Sequence, residues 1–224
     1  MTIEKNSLRF SAALLLAMIL GSYVFANTAE ASGSRNISRI NSSVDVEASA
    51  RVGDVSSING HVRVERNATA LEVSTVNGSV DIASGAHIES AETVNGEIRM
   101  DENVVVDRGI KTINGGIRTR SGSDIGGEVK TVNGEIELRA TRVRDDVITA
   151  NGDIELDAGS IVEGDIVVRG KRGWLSRMFS FGQSHTPDVT ISADSEVHGD
   201  IHLYREVDLR IDDGAQVGDV ITHY

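Results

Sequence analysis

Six Asn-Gly pairs recur along this chain at intervals of 18 or 19 residues, and this repeat constrains the fold more than any other feature of the sequence. The sequence between the pairs divides into units of six residues, such as NGSVDI, ASGAHI and ESAETV. A fixed period is typical of repeat proteins, in which each unit buries its apolar face only against its neighbours. The pairs are Asn59-Gly60, Asn77-Gly78, Asn95-Gly96, Asn114-Gly115, Asn133-Gly134 and Asn151-Gly152.

The sixth residue of each unit is aliphatic along most of the chain, and the fourth is often aliphatic as well. This alternation predicts short, half-buried strands. Three units make one turn, so we predict an all-β fold, a single-domain parallel β-helix (β-solenoid) with three short strands per turn of 18–19 residues and about nine turns. The sixth-position residues expected in the core are Ile40, Val46, Val52, Ile58, Val64, Ala70, Val76, Ile82, Ile88, Val94, Met100, Val106, Ile113, Ile125, Val132, Leu138, Leu156, Val162 and Val168. In this register Val94→Asp is predicted to be severely destabilising.

We interpret each Asn-Gly pair as a corner of the coil, because glycine adopts positive φ freely and asparagine does so more readily than most residues. Stacked asparagines are expected to hydrogen bond along one edge. Gly96→Val is then expected to destabilise the protein far more than Glu97→Ala, since Glu97 is expected to point to solvent. Asn-Gly between alternating apolar residues is also a strong hairpin signal, which predicts an antiparallel meander or barrel instead. The unbroken six-residue period favours the solenoid.

The N-terminus resembles a secretory signal peptide over residues 1–31, which leaves residues 32–224 as the solenoid domain. Lys5 and Arg9 precede an apolar run over residues 11–26, and Ala29-Glu30-Ala31 offers a cleavage site. An uncleaved anchor is the alternative, but the run is shorter than the roughly 20 residues that span a membrane. We therefore expect an extracytoplasmic protein, either periplasmic or at the cell surface. Its net charge of −12 argues against nucleic acid as a partner.

A basic, aromatic stretch interrupts the repeat at residues 169–187. Four apolar residues in it have the spacing of one face of a short helix, Trp174, Leu175, Met178 and Phe181. Two interpretations remain open: a lid on the side of the solenoid, or a contact with a membrane surface or partner. The residues proposed for contact are Lys171, Arg172, Trp174, Leu175, Arg177, Met178, Phe179 and Phe181.

The sequence contains no motif from which we expect a catalytic residue, a cofactor or a metal. His198 and His202 share a strand face about 13 Å apart, and His223 is out of register with His202. Acidic residues after the corners suggest calcium or the paired acids of a polysaccharide enzyme, but a charged row on a solenoid is usually a solvated face. These acids are Glu97, Glu135, Asp153, Asp165, Asp200 and Asp219.

The V-N-G-[ED]-I units at 94–98 and 132–136, with the related unit at 151–154, resemble those of secreted bacterial β-strand-repeat proteins classed as adhesins of unknown function. The later V-x-G-D-[IV] units, at 162–166, 197–201 and 217–220, resemble bactofilins, which are polymer-forming right-handed β-helices. The resemblance implies a right-handed coil and association of copies through the solenoid ends. We expect a non-enzymatic structural or interaction protein at the cell envelope, with an envelope protein, a membrane surface or a polysaccharide as its partner. The alternative is a polysaccharide-binding or polysaccharide-active β-helix.

Overall fold

The computed structural model describes residues 35–170 and 186–224, and within these ranges every regular element is a β-strand. No helix in this part of the chain is long and apolar enough to cross a membrane. The strands are β1 (Ile37–Arg39), β2 (Val44–Val46), β3 (Val55–Asn59), β4 (Val62–Val64), β5 (Thr69–Asn77), β6 (Val80–Ile82), β7 (His87–Asn95), β8 (Ile98–Met100), β9 (Val105–Val106), β10 (Ile110–Asn114), β11 (Ile117–Thr119), β12 (Asp124–Ile125), β13 (Val129–Lys130), β14 (Ile136–Arg139), β15 (Arg142–Val143), β16 (Val147–Thr149), β17 (Ile154–Asp157), β18 (Ile161–Val162), β19 (Ile166–Val168), β20 (Asp188–Ile191), β21 (Glu196–Val197), β22 (Ile201–Leu203), β23 (Asp208–Ile211), β24 (Gln216–Val217) and β25 (Val220–Thr222).

The strands form a parallel β-solenoid of about nine turns, which confirms the predicted fold and makes the antiparallel meander wrong. The first face is a nine-stranded sheet that runs from β2 to β23. The second face contains β9, β12, β15, β18, β21 and β24, and the third contains β1, β3, β10, β13, β16, β19, β22 and β25. Strands β5 and β7 each run through the second face into the third, so these two faces belong to one sixteen-stranded sheet.

Each strand pairs with the equivalent strand one turn later. The pairing Val44 to Val62 spans 18 residues, and Ile117 to Ile136 spans 19. Across the interruption Ile154 pairs directly with Val189, so the register of the first face continues on both sides of it. The described residues on the two sides of the interruption therefore lie at one corner of the solenoid.

The core is a continuous aliphatic column, and on the first two faces it has the register that the six-residue units predict. The fourth and sixth positions of the first face are both buried, as at Ile98 and Met100. On the second face the sixth-position Ile88 and Val106 are buried, and Val143 replaces Arg144 in the interior. Stacking of these branched side chains is the main apolar contribution to stability.

The predicted register is wrong over most of the third face, where the sixth-position residues point outward, although Val168 in a later turn is buried as predicted. Ile40 is 68% exposed and Ile58 is 43% exposed, while Val94 is only half-buried. The inward residue is instead the serine or threonine before it. The Thr93 hydroxyl donates a hydrogen bond of 3.0 Å to the Gly78 carbonyl one turn below. Because a buried carbonyl needs a partner, this hydroxyl decides which way the strand faces.

The same hydrogen bond recurs at the neighbouring corners. Ser57, Thr75, Thr112 and Thr131 each donate to a corner carbonyl one turn below, over 2.9 to 3.1 Å. The third-face core positions are therefore occupied by an aliphatic residue and a hydroxyl residue in each early turn, as at Val73 and Thr75. Val94→Asp would place a charge on a half-exposed surface, so the severe destabilisation predicted for it is not expected.

The Asn-Gly pairs do form corners, but their glycines are required for a different reason from the one predicted. Of the six, only Gly134 has φ in the positive range, at 152°. A Cβ built on Gly96 would overlap the carbonyl oxygen of Gly78 one turn below. Asn41, at the start of the same edge, does have positive φ. Most other left-handed residues lie at the corner between the first and second faces: Ser49, Asn67, Gly85, Asn103, Gly122, Ala140 and Ala158.

Candidate functional site

The outer surface of the third face is largely uncharged. Strand alternation places 20 described side chains there, of which ten are aliphatic, three are serine and one is acidic, Glu92. The outward aliphatic residues are Ile40, Ile58, Val76, Val94, Ile113, Val132, Ile148, Ala150, Val167 and Ile221. Ile40 and Ile58 are the most exposed of these residues, whereas Ile113 and Ile148 are almost covered by their neighbours. An aliphatic row of this kind along one face is typical of a contact surface.

Basic side chains on the third face cluster towards its later turns. Lys111 and Lys130 lie on paired strands, and both contact the Glu128 carboxylate, at 2.8 and 3.5 Å. Burial lowers the pKa of Lys130, and the positive charge of nearby Arg169 lowers it further. Glu92 is the register partner of Lys111, so the cluster contains three cations and two carboxylates and is net positive.

The first face is highly charged and carries ion pairs between successive turns. Arg99 reaches Asp81 at 3.2 Å, while Arg118 reaches Glu97 at 2.9 Å and Glu135 at 3.2 Å. The Glu97 side chain is only 18% exposed, so the expectation that it points into solvent is wrong. Exposed pairs of this kind contribute about 1 kcal/mol or less each.

Further along the first face Glu155 has several acidic neighbours, although Arg139 pairs with Asp157 at 2.9 Å. Burial raises the pKa of Glu155, and the carboxylates of Glu137, Asp157 and Glu135 raise it further. Glu137 and Glu155 are aligned on adjacent strands β14 and β17. The solenoid therefore has an acidic first face and an uncharged or basic third face.

Seven asparagines form the predicted ladder between the third and first faces. Each side-chain amide donates to the side-chain oxygen of the asparagine one turn earlier over 2.7 to 2.9 Å, in the order Asn151, Asn133, Asn114, Asn95, Asn77, Asn59 and Asn41. The side-chain oxygen of Asn151 accepts a 2.9 Å hydrogen bond from Arg205, which also donates to the Ala150 carbonyl at 3.0 Å. The ladder is thus a structural edge, and Arg205 caps it from two turns further along the chain.

The interruption occupies the corner that follows this ladder. By register Gly170 stands where Asn151 stands one turn earlier, and the chain resumes the first face at Asp188. The eight residues proposed for contact lie outside the described residues: Lys171, Arg172, Trp174, Leu175, Arg177, Met178, Phe179 and Phe181. The segment thus leaves the solenoid at the border of the third face, next to its basic cluster.

The Gly-Asp units form a second ladder, at the corner between the second and third faces. The side-chain oxygens of Asp146, Asp165 and Asp200 accept the backbone N–H of Asp165, Asp200 and Asp219 over 2.8 to 3.0 Å. Burial raises the pKa of Asp146. These carboxylates bind backbone groups, so their repetition has a structural cause.

Two histidines meet on the third face in the last turns. The register partner of His202 is Ile221, yet His202 Nδ1 lies 3.1 Å from His223 Nε2. His223 is out of register with His202, as predicted, yet the two side chains meet because they reach diagonally across the strands. His198 instead pairs with Glu196 at 2.9 Å. Among the described residues no group of three or more His, Cys, Asp or Glu side chains could hold a metal ion.

Compared with known protein families, curated proteins and solved structures, the chain shows no significant match.

Proposed function

We propose that this protein is a non-enzymatic, exported interaction protein of the cell envelope, and that its third face contacts an anionic membrane surface. The observation that carries the proposal is the difference between the faces. The third face combines an aliphatic row with the cluster of Lys111, Lys130 and Arg169, whereas the first face is rich in acids. An anionic surface would attract the third face and repel the first, which fixes the orientation of the solenoid.

The sequence of the interruption supports the same surface. It contains Lys171, Arg172 and Arg177 together with Trp174, and it joins the solenoid at the border of the third face. Basic and aromatic side chains act together at membrane surfaces, where each Lys or Arg contributes about 1 kcal/mol to binding. The segment and the third face would then form one contact surface.

Cosedimentation with vesicles tests the proposal. The protein is expected to sediment with vesicles that contain an anionic lipid and much less with zwitterionic vesicles, and added salt should weaken the binding. Replacing residues 171–185 with a Gly-Ser linker should reduce binding and leave the circular dichroism spectrum nearly unchanged. Equal binding to both vesicle types, or unfolding of the linker variant, would contradict it.

A matched pair of substitutions tests the third face itself. Ile58 on the third face and Leu71, at the corner between the second and third faces, are each 43% exposed. Ile58→Glu should weaken binding to anionic vesicles about 5-fold, because about 1 kcal/mol of attraction is lost. Leu71→Glu should have a clearly smaller effect. A similar loss in both variants would indicate that only net charge matters.

A polysaccharide-active β-helix is the second candidate, and the acids of the first face are the observation that favours it. Glu155 has a raised pKa and is adjacent to Glu137, as a general acid beside a second carboxylate would be. Incubation with a panel of envelope polysaccharides, assayed for new reducing ends, separates the two functions. We expect no release; release that disappears in Glu155→Gln would establish the enzyme instead.

A further inference from the structure

The His202 and His223 side chains form a pair whose geometry matches that of two ligands on one metal ion. Their facing nitrogens, Nδ1 of His202 and Nε2 of His223, are 3.1 Å apart and share a hydrogen bond, and a metal ion would take the place of the shared proton. Two imidazole nitrogens at about 2.0–2.1 Å from a tetrahedral Zn²⁺ lie about 3.3–3.4 Å from each other, and a square arrangement brings them to about 2.9 Å. The observed separation falls between these values, so an ion fits after movements of a few tenths of an ångström.

The other nitrogen of His202 has the partner that a metal-binding histidine usually has. Its Nε2 lies 3.5 Å from the Asp165 carboxylate. A carboxylate there favours the proton on Nε2, which leaves the lone pair of Nδ1 directed at His223. Asp165 is itself held in place, because its other oxygen accepts the Asp200 N–H at 2.9 Å.

The second histidine is also fixed in orientation. The Tyr204 ring stacks on the His223 ring with centroids 4.2 Å apart and planes tilted by 8°. The His202 side chain is 24% exposed, so an ion could enter from solvent and complete its coordination with water. Two oriented imidazoles and a carboxylate behind one of them are a prearranged partial site.

We propose that His202 and His223 bind a divalent transition-metal cation of the Zn²⁺ class, with Asp165 orienting His202 and water filling the remaining positions. Imidazole is a good ligand for Zn²⁺, Cu²⁺ and Ni²⁺ and a poor one for Ca²⁺ or Mg²⁺. The proposed site has two protein ligands. It is therefore compatible with the finding that no group of three or more possible ligands exists among the described residues. It does not depend on the proposed membrane contact.

Metal binding would join the last turn of the solenoid to the turn before it. His202 belongs to the turn of β22, and His223 directly follows β25 in the final turn. The apolar residues of that turn, among them Leu209, Ile211 and Val217, are only partly buried. A ligand that binds the folded turn alone stabilises it by mass action. The metal would thus stabilise the C-terminal end.

Calorimetric titration of the purified protein with Zn²⁺ tests the site. We expect one ion per chain, and at least about a 10-fold loss of affinity in His223→Ala and in His202→Asn, since a lost outer-shell partner alone costs about 10–100-fold. Asp165→Asn keeps an oxygen for the Asp200 N–H and should weaken binding about 10-fold.

His198→Asn is the matched control, because this histidine lies in the same turn and pairs with Glu196 instead. It should bind Zn²⁺ as the unmodified protein does. Zn²⁺ should also raise the Tm of the unmodified protein and not that of His223→Ala, and circular dichroism shows whether each variant is folded. Absence of binding, or an equal loss in His198→Asn and His223→Ala, would overturn the assignment, whether or not the protein binds vesicles.

Discussion

Two valines in one strand offer a direct test of the third-face register. In β5 Val73 is fully buried and stacks between Val55 and Ala91, whereas Val76 points outward and is half-buried. Val73→Ala removes two buried carbon groups, which costs about 1.6 kcal/mol by transfer alone and about 2–3 kcal/mol once the cavity is included. Val76→Ala should cost less than about 1 kcal/mol.

Thermal unfolding followed by circular dichroism measures this difference. For a domain of this size 1 kcal/mol shifts the Tm by about 2–4 °C, so Val73→Ala should lower it by about 5–10 °C and Val76→Ala by at most about 3 °C. The Tm values of Val73→Asp and Val76→Asp should differ even more, because Val73→Asp buries a charge without a partner. If Val76→Ala were the more damaging change, the sixth-position residues would face the core after all, and the threonine hydrogen bonds would not determine the strand orientation.

Three further results are expected. Gly96→Ala should destabilise by more than about 2 kcal/mol in urea unfolding, because its Cβ meets backbone, while Glu97→Ala should cost about 1 kcal/mol or less; similar losses would contradict the close packing of corners. Asn95→Ala should cost about 1–2 kcal/mol, because it removes two ladder hydrogen bonds, and an unchanged unfolding midpoint would exclude any contribution from the ladder. The folded-state pKa of Glu155 is raised, so its charged form reduces stability above that pKa and the penalty disappears as the pH falls below about 4.3. Glu155→Gln should therefore raise the Tm slightly at about pH 7 and leave it unchanged at about pH 4, and a Tm that falls at neutral pH would show that the charge is stabilising.

Apolar periodicity correctly predicts which residues of the first and second faces point into the core, because no polar group there competes with hydrophobic burial. Ile98 and Met100 both enter the core, so strand, register and burial agree with the pattern. On the third face a hydroxyl competes with a neighbouring valine. Thr93 faces inward because it satisfies a buried carbonyl, and Val94 is left outside. The signal is present in the sequence as a serine or threonine two residues before the asparagine of each Asn-Gly pair, but its meaning depends on the close approach of the corners.

The surface features were harder to predict because they combine residues from different turns. Arg205 caps Asn151 from 54 residues away, past the whole interruption. Backbone register places His202 opposite Ile221 and not opposite His223, but the side chains of the two histidines still meet because they reach diagonally across the strands. Both contacts depend on side-chain reach, which repeat spacing does not encode.

The asparagine ladder also affects the chemical lifetime of the protein. Asn-Gly is a sequence prone to deamidation, in which the glycine nitrogen attacks the side-chain carbonyl carbon of the asparagine. In the solenoid the Asn95 side chain is held at both ends, and the Gly115 nitrogen beside Asn114 donates to the Asn133 carbonyl at 2.9 Å. The attacking geometry is therefore reached only when a turn opens. An aspartate formed in an open turn would be unable to donate a hydrogen bond to the asparagine one turn earlier. Deamidation during unfolding would therefore remove a ladder hydrogen bond permanently.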